Sequence, residues 1–168
     1  MNGSFCSWVI FGEPIAQGRP RACVVNGHAR MYTPKRSDSW CGQAVETLAG
    51  RWSGGPCDRS VKVLVLAVFQ RPKRLDRKRD PGGRIPHASK PDGDNVLKAV
   101  LDALVKAGVL RDDCQAQSCT IEKWYCARGE GPCVEIDMTA FGDALSAPKG
   151  KRKARNLTPL AESVTLAV

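Results

Sequence analysis

Residues 90–115 read KPDGDNVLKAVLDALVKAGVLRDDCQ, an apolar helical repeat with acidic residues at both ends. The apolar positions recur at helical spacing, at Val96, Leu97, Val100, Leu101 and Leu104, and predict an amphipathic helix. Pro91 keeps the residue before it extended, and Asp92 is a favourable N-cap because its carboxylate can accept from the free N–H groups of the first turn. Gly108 supplies the left-handed residue that ends such a helix.

Composition limits the class of protein. The 168 residues suffice for one domain with a substantial core. The formal net charge is +9 and the sequence pI is about 9.4, which indicates an anionic partner, most often nucleic acid. No apolar run approaches the roughly 18 residues of a membrane span, and the start lacks the pattern of a signal peptide, so we expect a cytoplasmic protein. The eight cysteines form no Cys-x-x-Cys pair and are interpreted as small thiols rather than zinc ligands.

The first half of the chain predicts a strand, a hairpin and a helix. Residues 5–11 are a short β-like run, and Asn26-Gly27 between two β-like runs is a strong hairpin signal. Ser37, Asp38 or Ser39 can cap the helix that follows. Its apolar face is expected at Cys41, Val45, Leu48 and Trp52.

Three further strands are predicted, one before the acidic helix in the sequence and two after it. Residues 61–69 are β-branched and almost continuously apolar, so this strand should be central and covered on both faces. Residues 120–126 and 133–140 are the other two. The order of elements predicts an α+β fold, a mixed β-sheet with two main helices packed on it. We expect the domain to occupy residues 1–141 and to be followed by a basic, disordered tail at 142–168.

A long basic loop, residues 70–89, leads directly into the acidic helix. Loops of this length are usually functional or disordered, and in a chain of charge +9 a track for the phosphate backbone is favoured over a solvated linker. The expected DNA contacts, including two from the irregular basic segment 17–21, are Arg19, Arg21, Arg71, Lys73, Arg74 and Arg77.

Carboxylates in so basic a chain indicate metal-assisted phosphodiester chemistry. Mg²⁺ takes oxygen ligands and keeps several waters, so two or three carboxylates suffice. Asp92 and Asp94 lie together at the helix start, but Asp113 lies about 20–25 Å away along the helix. Spacing alone leaves the structural alternative open, in which Asp92 is a plain cap, Asp112 and Asp113 form a turn, and Lys98 is a surface partner of Asp94.

The combined motif resembles the RusA family of Holliday-junction resolvases. It consists of Asp92-Gly93-Asp94-Asn95, Lys98 four residues after the second aspartate, and Asp112-Asp113-Cys114-Gln115 after the helix. The opening, with Gly12-Glu13-Pro14, Gly18-Arg19-Pro20-Arg21 and Tyr32-Thr33-Pro34, is also similar, and the likeness spans roughly residues 5–140.

The resemblance implies a small homodimeric, Mg²⁺-dependent endonuclease that cuts four-way DNA junctions by paired strand cleavage in recombination and repair. It implies that Asp92, Asp94 and Asp113 bind the metal and that Lys98 is catalytic. A role for Asp112 in the metal site stays open. The alternative is a non-catalytic, structure-selective DNA-binding protein, a degenerate resolvase, which a test of Mg²⁺-dependent cleavage would distinguish.

Overall fold

A computed structural model describes residues 5–18, 21–25, 27–32 and 35–141. The elements follow the chain as β1 (Phe5–Phe11), β2 (Arg21–Val25), β3 (His28–Tyr32), α1 (Lys35–Arg51), β4 (Val61–Phe69), β5 (Ile85–Pro86), α2 (Gly93–Lys106), β6 (Ala116–Tyr125) and β7 (Cys133–Ala140). Short 3-10 helices occur at Lys73–Leu75 and Asp113–Gln115. The expected α+β fold is confirmed. The expected basic tail, residues 142–168, lies outside the described residues.

The main sheet has five strands in the order β1-β7-β4-β6-β5. β4 is central as expected, parallel to β6 and antiparallel to β7. The expectation that both its faces are covered is only half right. Val61, Val63 and Val65 are fully buried beneath the helices, whereas Lys62 is exposed and Leu64 half-buried on the opposite face. Both helices therefore pack on the same face of the sheet, and each buries its apolar stripe against that face.

The two helices pack against each other and against this covered face. The core between them and the sheet includes Trp8, Leu48, Val100, Leu104 and Ile136. α1 begins at Lys35, so Ser37, Asp38 and Ser39 lie within the helix and the expectation that one of them is the N-cap is wrong. Its most deeply buried side chains are Trp40, Ala44 and Leu48, while Cys41, Val45 and Trp52 are half-buried beside them.

The end of α2 follows the local sequence. Gly108 has φ +71°, its N–H donates to Val105 O at 3.0 Å, and the Val109 N–H donates to Leu104 O at 3.0 Å. This pair of hydrogen bonds is the Schellman arrangement, and Val109 packs in the same core as Leu104. The chain then continues to Leu110, which bridges to Cys57 just before β4.

The predicted hairpin is present as β2–β3, with Gly27 at φ +76° in its turn. It forms a separate two-stranded sheet and does not join the main one. In the ranges that the structure describes, no helix is long and apolar enough to cross a membrane.

Candidate active site

The first turn of α2 presents two carboxylates to solvent. Asp92 occupies the N-cap position with extended backbone (φ −69°, ψ 142°), but its side chain makes no capping hydrogen bond. The expected carboxylate cap is therefore wrong. Asp94 follows in the first turn, and Lys98 lies one turn further along; all three are exposed. Among the described residues, none of them takes part in an ion pair.

At the other end of α2, the two adjacent aspartates have different environments. Asp112 caps the 3-10 helix Asp113–Gln115 by accepting the Cys114 N–H at 2.9 Å, and this hydrogen bond holds the pKa of the Asp112 carboxyl below its usual value. Gln115 is buried and completes a capping box. Its Nε2 donates to Cys57 O at 2.7 Å and to Arg59 O at 3.0 Å. Asp113 is exposed.

The fold of the chain does not bring the three expected metal ligands together. Asp92 precedes α2, Asp94 lies in its first turn and Asp113 follows its end, so the helix separates Asp113 from the other two by roughly 18–21 Å along its axis. Within the described ranges there is no group of three or more His, Cys, Asp or Glu side chains able to hold a metal. The two free carboxylates at the N-terminus are nevertheless suitable hard oxygen donors for part of a Mg²⁺ shell.

Lys98 lines a groove of about 380 Å³ between α1 and α2. Gln17 also lines it: the Gln17 backbone N–H donates to Asn95 O at 2.9 Å, and its side-chain Nε2 donates to Asp102 Oδ2. Lys106 Nζ donates to Cys41 Sγ at 3.4 Å across the groove. Lys98, Asp102 and Lys106 recur at steps of four in the sequence of α2. Nothing near Gln17 in the sequence indicates its hydrogen bond to Asp102, since the two residues are 85 positions apart.

The basic segment 70–89, expected as a loop, is anchored to the sheet. Arg71 is only 7% exposed, and its guanidinium donates to Cys126 O at 2.8 Å, to Pro81 O at 2.7 Å and to Gly83 O. The structure does not support the expectation that Arg71 contacts DNA, because its guanidinium is buried and bonds three backbone carbonyls. A second anchor, Arg84, bonds Glu130 and Glu135, the latter at 2.6 Å.

The other cations of the segment that were expected to contact DNA are on the surface. Lys73, Arg74 and Arg77 are exposed. Leu75, in the same 3-10 helix as the first two, packs with Phe69, Tyr125 and Val96. Since Val96 belongs to the first turn of α2, the 3-10 helix that carries Lys73 and Arg74 packs near the Asp92 end of α2, and Arg77 follows it two residues later. Arg21 begins β2, and Arg19 lies outside the described residues.

His87 is buried beside this end of α2. Its ring is stacked on Phe69 with centroids 4.4 Å apart and tilted against Tyr125 at 4.3 Å. Its backbone N–H donates to Lys123 O at 3.0 Å. Burial, reinforced by the nearby Lys123 charge, lowers the pKa of His87. The only signal in the sequence was a lone histidine in a loop, which gave no indication of the ring stack.

Comparison with known proteins identifies the family. A model of the endodeoxyribonuclease RusA family matches residues 12–139, a range that contains α2, both acidic ends and the basic segment. The chain belongs to the RusA family. It is also 32% identical over 137 residues to the uncharacterised protein YqaN of Bacillus subtilis (strain 168), an alignment that covers 77% of this chain and 92% of that protein. RusA membership makes endonuclease chemistry on DNA the activity that the family implies, and it places Asp92, Asp94, Lys98 and Asp113 inside the matched region.

Proposed function

We propose that this RusA-family protein is a cytoplasmic, homodimeric, Mg²⁺-dependent endonuclease that resolves four-way DNA junctions by paired strand cleavage in recombination and repair. The observation that carries the proposal is the free carboxylate of Asp92. It stands at a helix N-cap without capping the helix, beside Asp94 and Lys98, at the end of the molecule that carries the exposed cations of the basic segment.

The free carboxylate supports the functional interpretation over the purely structural one. An aspartate that serves as an N-cap typically contributes about 1 kcal/mol through its bond to a first-turn N–H. Asp92 makes no such bond, so a capping hydrogen bond does not account for its position. Two exposed, unpaired carboxylates beside cations that attract DNA are explained if a divalent ion binds between them and the phosphate.

Asp92, Asp94 and Asp113 would hold the metal. When bound, Mg²⁺ neutralises the phosphodiester and activates a water for attack on phosphorus. Because α2 separates Asp113 from the other two in one subunit, we propose that Asp113 of the partner subunit completes each site. A two-fold dimer gives two equivalent sites, which suits a junction whose two opposed strands must both be cut.

Lys98 is proposed as the catalytic cation. It is one helical turn beyond Asp94, exposed, and without an ion-pair partner among the described residues. An ammonium in that position can stabilise negative charge that develops on the phosphate as the bond to the leaving oxygen breaks.

The DNA arms are proposed to follow Lys73, Arg74 and Arg77, with Arg19 and Arg21 as further contacts. These cations are not needed to hold the basic segment in place, since Arg71 and Arg84 do that. We therefore leave Arg71 out of the proposed track.

The direct test compares a labelled four-way junction with a duplex of the same length, with and without Mg²⁺. We expect symmetric cuts in the junction only when Mg²⁺ is present, and little cutting of the duplex. Tight junction binding without cleavage at any Mg²⁺ concentration would instead identify the non-catalytic DNA-binding protein.

A further inference from the structure

The β2–β3 hairpin stands apart from the body of the protein. Its two strands pair with each other, with Val24 opposite Ala29, and neither joins the five-stranded sheet. A two-stranded hairpin on its own is marginally stable in water, so a hairpin retained outside the sheet calls for a role other than supporting the core.

One face of this hairpin is apolar and exposed. Ala22 and Val24 lie two residues apart on β2 and Ala29 faces Val24 on β3, so the three share one face, and all are exposed. Val24 is 74% exposed, the highest value among the large hydrophobic side chains of the described residues. Adjacent apolar side chains exposed together on one face of an element are typical of a contact surface.

The hairpin is rooted at the rim of the groove that holds Lys98. On the entry side, the Gln17 N–H donates to Asn95 O at 2.9 Å and the Gly18 N–H donates to Ser37 Oγ at 3.4 Å. These four residues line the groove together with Lys98. On the exit side the chain continues into α1, whose first turn contains Ser37. The hairpin therefore connects two segments that line the groove of the proposed active site.

The charge of this segment selects the partner. Residues 14–37 contain no Asp or Glu, and they carry Arg19, Arg21, Arg30, Lys35 and Arg36. A segment whose formal charges are all positive is complementary to a phosphate backbone. A second copy of this chain, with a net charge of +9, is a poorer match.

We infer that the β2–β3 hairpin is a DNA-contacting arm whose apolar face, Ala22, Val24 and Ala29, packs against bases exposed at the branch point. The inference rests on the proposed function and adds a determinant of substrate choice to it. Proteins that separate stacked bases insert apolar side chains between them. A branch point offers base faces without the unstacking energy that a continuous duplex demands, so this contact favours branched DNA over duplex.

The test replaces Val24 by Ser and measures affinity for a four-way junction and for a matched duplex, without divalent metal so that nothing is cut. Because Val24 is exposed, the substitution leaves the fold intact. Val24→Thr, which keeps the shape and one methyl group, provides a graded comparison. Phe11→Ser is the matched control, since Phe11 is 73% exposed on the helix-free face of the sheet.

We expect Val24→Ser to weaken junction binding about tenfold, as loss of one buried valine contact predicts, and to leave duplex binding within about twofold. Val24→Thr should lie between, and Phe11→Ser should match the wild type. A 2-aminopurine at the branch point should brighten with the wild type and much less with Val24→Ser.

Equal losses on junction and duplex would reduce the arm to a backbone contact and overturn the inference. Unchanged binding, or a change in oligomeric state without a change in DNA binding, would overturn it too. These results are separate from the proposed function, which is tested by Mg²⁺-dependent cutting. If the wild type cuts junctions and Val24→Ser binds them normally, the proposed function stands and the inference about the hairpin is wrong.

Discussion

The carboxylate of Asp112 accepts the backbone N–H of Cys114 at 2.9 Å. This bond caps the 3-10 helix that carries the adjacent Asp113, so two neighbouring aspartates have different tasks. We predict that Asp113→Asn abolishes Mg²⁺-dependent cleavage, because a proposed metal ligand is lost. Junction binding should persist or strengthen, because one negative charge near the phosphate is removed. Asp112→Asn, whose amide oxygen can still accept the Cys114 N–H, should cut at close to the wild-type rate. Cleavage assays under single-turnover conditions would compare them. Equal losses in both variants would place Asp112 in the metal site.

A site shared between subunits makes a strong prediction for mixed dimers. Asp92→Asn and Asp113→Asn proteins should each be inactive alone, as should Asp94→Asn. In a heterodimer of the first two, one shared site carries both substitutions and the other carries neither. Mixing by denaturation and refolding should therefore restore nicking of one strand, without paired cuts. Product lengths on denaturing gels report the result. If the mixture stays inactive, each site is formed within one subunit.

Lys98 should affect rate more than affinity. We predict that Lys98→Ala lowers the cleavage rate at saturating protein by about 10²–10³-fold, the magnitude for loss of one group that stabilises transition-state charge. Junction affinity should change little, with a salt slope reduced by no more than about one phosphate contact. A loss of affinity as large as the loss of rate would assign Lys98 to the phosphate backbone.

Two arginines of the basic segment, Arg71 and Arg74, should have separable effects on stability and on DNA binding. Arg71→Ala leaves three carbonyls without their donor, and we predict a loss of about 2–3 kcal/mol in the free energy of unfolding. Arg74→Ala, at an exposed position, should leave stability unchanged.

Arg74→Ala should instead weaken DNA binding and flatten its log–log salt slope by about 0.9 if one duplex phosphate contact is lost. Denaturant unfolding and salt titrations measure the two effects. A protein ending at Phe141 is the companion test: if it loses the salt dependence and Arg74→Ala keeps it, the DNA track lies on the tail.

His87 should make stability depend on pH. Its pKa is lowered in the folded protein, chiefly by burial, so as pH falls below about 6.5 the unfolded chain takes up the proton first. The contribution of His87 to stability is complete above that pH and is lost progressively as pH falls towards its folded pKa.

Thermal unfolding between pH 7 and pH 5 would reveal the effect. His87→Phe, which preserves an aromatic ring between Phe69 and Tyr125, should flatten the dependence on pH. His28→Gln, at the exposed second histidine, should not. An unchanged slope in His87→Phe would remove His87 as the source.

The local sequence was sufficient for most of the fold. Helical spacing and Gly108 defined α2 and its end, Asn26-Gly27 defined the hairpin, and alternation defined β7 at the bounds observed, Cys133–Ala140. These features depend on neighbours within a few residues, which is why a pattern reports them. The acidic ends of α2 and Lys98 were equally visible, because their chemistry follows from residue type and spacing.

Tertiary structure decided what each polar group does. Asp92 is a favourable cap by sequence, yet its carboxylate makes no capping bond, whereas the Asp112 carboxylate, expected only in a turn, caps a 3-10 helix. Arg71 and Arg74 are indistinguishable in a basic run, but packing of the segment against the sheet buried one and exposed the other. His87 stacks between Phe69 and Tyr125, and Gln17 donates a hydrogen bond to Asp102. Both contacts join distant parts of the chain. Such partners are fixed only when the sheet and helices have assembled, so no local pattern could specify them.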